Sequence, residues 1–199
     1  MNRPAFLKKM AGLSVLVFSG CQVDRKNQEK LLATAGDGEL SGEAKKSMSA
    51  LRKELSAAWQ RSETMTMVNI EQMPAEHFTF KYTPEAMSFG EQWRHCVIYT
   101  CGQLAGRTGL NNPYKDVKLP VQMTKDHVIS EMKNLYAFVR KSITELSDEK
   151  LCSNCDFAGD TIPIWRLFYA MENHIIHHRG QCIVYLRLKG IKPKGYYGW

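Results

Sequence analysis

Long apolar runs are missing from this sequence. The apolar stretch Met10–Phe18 is about half of the ~20 residues that a membrane-spanning helix needs. Cysteine is sparse too: six in 199 residues cannot build a disulfide scaffold. Alternating strand-like patterns are few, which excludes a β-rich fold. Lys and Arg number 27 against 20 Asp and Glu. Without a basic run or aromatic–Arg interleaving, that mild excess excludes nucleic acid as the expected partner. What is present is enough for a core. Apolar residues make up 44% and glycine and proline are ordinary at 14 and 7, so neither wholesale disorder nor a collagen-like repeat fits.

The first twenty residues read as an address. Arg3, Lys8 and Lys9 precede the apolar stretch, which ends in Ser19-Gly20-Cys21. Basic, apolar and then small residues form a secretory leader pattern. Cysteine after Ser-Gly resembles the lipobox of bacterial lipoproteins, with Phe18 where leucine is commoner. Cys21 is therefore expected to carry lipid as the first mature residue, so that the protein is exported and its only membrane contact is the anchor. Residues 1–20 are the expected signal peptide and 21–42 a tether. Residues 43–193 are the folded domain and 194–199 a tail.

Four helical patterns follow. Met48, Leu51, Leu55, Ala58, Ser62 and Met65 form one stripe at helical spacing, ending before Pro74. Ser88 with Glu91 gives a capping-box signature for a second helix, stopped near Gly106 and Gly109. Thr124 caps a third, with the stripe Val128, Met132, Leu135, Val139, Ile143 and Leu146. The fourth is expected from about Thr161 to Leu188, with Pro163 in its first turn and Gly190 past its end. Four amphipathic helices predict an all-α four-helix bundle. The long connection from Gly106 to Gln122 predicts a crossover rather than a hairpin.

Six histidines occur, three of them in His174-Ile175-Ile176-His177-His178. Residues four apart on a helix point the same way, about 40° apart. His174 and His178 continue the stripe of Leu167, Met171 and Tyr185, so both should point inward, with His177 on a more polar side. Two imidazoles one turn apart on an inward face can chelate a transition metal. A zincin would need Glu where Ile175 stands, the inverted form Glu where His177 stands, and a di-iron site two Glu-x-x-His motifs. None is present. A tetrahedral site with an open position needs a third ligand, and His95 in the second helix is the candidate. His77 and His127 read as surface residues. Such a site needs neutral imidazoles, so binding is expected to weaken as pH falls through ~6.5.

The segment from His174 to Gln181, followed by Tyr185-Leu186-Arg187 and Gly190-Ile191-Lys192-Pro193, resembles the last helix of the DinB/YfiT-like superfamily. Ser88-Phe89-Gly90-Glu91 with His95 is similar to its second helix. The resemblance implies a four-helix bundle binding a divalent metal, zinc or nickel, through His95, His174 and His178. It also implies open positions for water or a thiol. Characterised relatives include thiol-dependent S-transferases, so the partners it implies are a small-molecule thiol and an electrophile. Many relatives carry an acid where this chain has Ile175. The alternative is a non-catalytic, metal-bearing binding or stress-response module at the membrane. A homodimer is compatible with either reading. Glu91, Glu172 and Tyr99 are the available general bases, none singled out by the pattern.

Cys152 and Cys155 lie between the third and fourth helices, where an exported domain can close them into a disulfide. Cys96, Cys101 and Cys182 read as core residues. Arg179 is expected in a surface or interhelix ion pair, and Gly180 where another helix or loop approaches closely.

Overall fold

The structure, a computed structural model, describes residues 42–195. Cys21, the expected leader and the tether through residue 41 lie outside the described residues. Helix α1 spans Gly42–Gln72, α2 Phe89–Thr108, α3 Lys125–Glu145, α4 Asp148–Cys152 and α5 Ile164–Leu188. Strands β1 (Asn154–Phe157) and β2 (Asp160–Pro163) pair antiparallel between α4 and α5. Among the described residues no helix is long and apolar enough to cross a membrane.

Local chemistry sets the helix ends. Ser88 Oγ accepts from the Glu91 backbone N–H at 3.2 Å, and Glu91 Oε2 accepts from the Ser88 N–H at 2.6 Å. These two bonds satisfy donors that the first turn of α2 leaves unpaired. Thr124 Oγ1 accepts from the His127 N–H in α3 at 3.3 Å. Gly109 ends α2 in the left-handed region with φ +80°, where a residue without Cβ is unstrained. At the other end of α3, Arg52 from α1 donates to the carbonyls of Ile143 and Leu146 and pairs with Asp148 at 2.5 Å.

α1 and α2 each pack against both α3 and α5. Helix directions follow from the cross-helix bonds. Lys125 at the start of α3 reaches the Met73 carbonyl beyond the end of α1, while Arg52 reaches the end of α3, so these two are antiparallel. Arg179 donates to the Ser62 carbonyl and Gln72 to that of Lys192, so α1 and α5 run the same way. Met87 meets Tyr185 and Arg107 meets Asp156, so α2 opposes α5 and is parallel to α3. Two neighbouring parallel helices need a connection that returns along the bundle. The 20 residues of α2 span about 30 Å, and residues 109–124 cover that return. The expected crossover is present.

The core fills from all four long helices. Leu55 and Trp59 of α1, Trp93 and Leu104 of α2, the whole expected stripe of α3, and Leu167 and Met171 of α5 are buried. One buried layer is polar: Tyr136 donates to Thr66 Oγ1 at 2.9 Å, and Arg179 donates to Thr66 Oγ1 at 3.2 Å.

Three expectations need correction. The fourth helix begins at Ile164, and Thr161 to Pro163 belong to β2. Cys155 pairs with Ile162 across the ladder, and Thr161 donates to Asp156 at 2.9 Å, so cross-strand partners outcompete a helical turn. The hairpin closes through Ala158 and Gly159, both at positive φ, as a two-residue primed turn requires. Arg179 is buried, and no described carboxylate lies within ion-pair distance of it. Gly180 is exposed, and a Cβ built there meets nothing within 4 Å. No close approach requires it. Gly180→Ala should therefore stabilise the fold by about 0.5–1 kcal/mol through helix propensity. Urea unfolding of the two proteins checks this, and a lower midpoint for the alanine variant would contradict it.

Candidate metal centre

The paired histidines of α5 and the single histidine of α2 converge because the two helices are antiparallel neighbours. His174 and His178 are one turn apart on the face that packs against α2. His95 Nε2 lies 3.1 Å from His174 Nε2, which lies 3.1 Å from His178 Nε2. No other described group of three or more His, Cys, Asp or Glu converges in this way.

The residues fit a metal. With Zn–N bonds of 2.0–2.1 Å, tetrahedral ligands stand about 3.3 Å apart, close to the observed spacing. Burial pushes the imidazolium form of His178 down to about 4, helped by the neighbouring His174, His95 and His177. Burial does the same to His174, with His95 and His177 adding to it, again to about 4. His95 is lowered by burial and by Arg94. All three rings are therefore neutral at pH 7, with lone pairs available. A neutral three-nitrogen donor set suits zinc and nickel, whereas calcium and magnesium require oxygen ligands.

The surroundings are aromatic and amide groups. The Tyr99 ring stacks on His95 at 5.5 Å between centroids and lies tilted against His174 at 4.5 Å. Gln92 Oε1 contacts His178 Nδ1. His174 Nδ1 is buried without a hydrogen-bond partner. His177 is exposed, its ring perpendicular to that of His178 and its Nε2 3.1 Å from Gln181 Nε2.

Of the three available bases, Glu91 is held in the α2 cap and by Lys81 at 3.1 Å. Glu172 is buried, its carboxyl raised by burial, and lies outside the histidine cluster. Only Tyr99 touches the ligands. His127 pairs with Glu131 at 3.6 Å, and His77 ends a short turn over Ala75–His77. Neither joins the cluster. Cys182 is buried in the core with its thiol pushed up by burial, as Cys96 and Cys101 are buried. Cys152 and Cys155 are free thiols, so the bridge open to them by spacing is not formed. Cys152 Sγ instead meets Met48 Sδ at 3.5 Å, and Cys155 is tied into β1.

Gln92 was not singled out by the sequence, although it sits one turn before His95, a polar side chain on an inward face. That spacing was the available signal.

The DinB family model matches residues 47–199. Among solved structures, the fold is similar to that of a DinB-like protein from Bacillus cereus ATCC 10987. That match has 22% identity and a TM-score of 0.61, and it covers 73% of this chain and 97% of the other. A DinB-like protein from Bacillus subtilis, YjoA, matches with 18% identity and a TM-score of 0.59, covering 72% of this chain and 97% of its own. No curated protein sequence matches the chain.

Proposed function

This chain belongs to the DinB family, and on that premise we propose that it holds a divalent metal, zinc or nickel, on His95, His174 and His178 and acts as a thiol transferase towards a small electrophile. The convergence of three Nε2 atoms from two helices carries the reading. A divalent ion bound there supplies Lewis acidity, which lowers the pKa of a thiol or water.

The chain's own residues favour a thiol over water as nucleophile. Water starts at a pKa of about 15.7 and hydrolytic zinc sites pair it with a general base. Among the described residues no carboxylate joins the histidines, and Ile175 is buried where many relatives have an acid. A thiol starts near ~8.5 and needs a smaller shift and no base. Tyr99 walls the two half-buried ligands, His95 and His174, and offers a flat apolar surface beside them.

The test is metal analysis of protein purified without chelator, followed by incubation with low-molecular-weight thiols and a chromogenic electrophile. The expected result is one metal per chain and thiol conjugation that His174→Ala abolishes. Stoichiometric metal without conjugation for any thiol would leave the non-catalytic metal module as the function.

A further inference from the structure

Of the three ligands, His178 alone has a protein group on its outer ring nitrogen among the described residues. Gln92 Oε1 meets Nδ1, and both side chains are buried. An amide facing an imidazole can present either its oxygen or its N–H, and the choice decides which ring nitrogen carries the proton.

The far side of Gln92 resolves that choice. Its amide also lies beside the hydroxyl of Tyr185, a fully buried residue of α5. The Tyr185 hydroxyl donates to the backbone carbonyl of Met87, just before the α2 cap. A carbonyl can only accept, so the one phenolic proton is committed there. The phenolic oxygen is left only to accept, so of the two ends of the amide beside it the Nε2–H end is the one that suits it. The other end of the amide, Oε1, faces His178 and accepts from Nδ1–H. His178 is left with a bare Nε2 directed at His174 and His95.

We propose that Gln92 is a positioning residue for the metal centre: a chain from the Met87 carbonyl through Tyr185 and Gln92 fixes His178 as the Nδ1–H tautomer before any ion arrives. This rests on the metal reading above. Burial of the chain keeps water from replacing a lost partner. Because the acceptor is an amide, it orients the ring without adding negative charge, so the ligand set stays neutral. Partners of this kind commonly change metal affinity 10–100-fold. The ring nitrogen of His174, buried and unpartnered, shows that the arrangement is particular to His178.

The test uses full-length, 15N-labelled protein. Two-bond proton–nitrogen spectra of the metal-free form at pH 7.5 report the tautomer, and competition with a chromophoric chelator reports zinc affinity. The wild type should show His178 protonated on Nδ1 only. Gln92→Met, close in shape but without an acceptor, should give mixed tautomers and bind zinc about 10–100-fold more weakly. Gln92→Glu should restore both readouts. Tyr185→Phe removes the group that orders the amide and should also mix the tautomers. A wild-type His178 protonated on Nε2 overturns the proposal, and that spectrum needs no variant to fold. Folded Gln92→Met protein with the wild-type tautomer and zinc affinity overturns it as well. If the wild type binds no zinc, the metal reading fails, while the metal-free spectra still decide the tautomer.

Discussion

Alanine at His174 or His178 should weaken divalent-metal binding by more than about 100-fold, since each nitrogen ligand carries on the order of 3 kcal/mol of the binding energy of such sites. His177→Ala should leave binding unchanged. His177 and His178 are adjacent in sequence but about 100° apart around the helix, and only His178 lies in the converging cluster. His95→Ala should match the His178 variant, because it removes the only ligand that α2 contributes. Metal content after dialysis against a weak chelator distinguishes these outcomes. Equal losses from His177→Ala and His178→Ala would contradict the geometry, and so would full retention without His95.

Acid should destabilise the metal-free protein by about 2–4 kcal/mol between pH 7 and pH 4 through two histidines. In the unfolded chain their rings protonate near ~6.5. In the folded chain burial, aided by the neighbouring histidines, lowers His174 and His178 to about 4. Between those values the unfolded state binds more protons, so folding loses stability as pH falls. Above ~6.5 the contribution is fully present. The stated range is below the sum of the two shifts because the rings interact and His174 is only half-buried. Urea unfolding at pH 7, 5.5 and 4.5 in chelator should show the decline, and a His174→Leu/His178→Leu protein should lack most of it. A flat profile in the wild type would contradict the prediction. Excess zinc, by binding only the folded state, should raise stability at pH 7 and extend the decline to lower pH. Proton competition thus sets in well below the value expected from free histidine.

Much of this architecture was legible in the order of residues. The stripe on α3 is buried as spaced, and the Ser88–Glu91 and Thr124 caps form where expected. Local chemistry decides these features, so a local reading finds them. His174 and His178 were legible for the same reason. His95 was picked as the one remaining histidine inside a helix, and the resemblance pointed to it too, but its approach to the pair depends on two helices packing. The hairpin was missed because its strands are four residues each and its turn is Ala-Gly rather than the stronger Asn-Gly. Arg179 was misplaced because its partners are a carbonyl and a hydroxyl of α1, which no charge pattern reveals. Gln92 was missed because its one signal, a place one turn before His95, is a single pair and not a repeating pattern.

The return connection between α2 and α3 also dictates when the site can exist. His95 and His174 stand 79 positions apart, with that connection, α3 and the hairpin between them. A fragment carrying α5 without α2 offers two imidazoles of this set, and a nascent chain ending before α5 offers one. Neither can hold an ion as the finished bundle does. On the proposed metal reading, all three ligands can meet one ion only after the last helix has docked. Local opening of the α2–α5 pair, which parts His95 from His174 and His178, would dismantle that set.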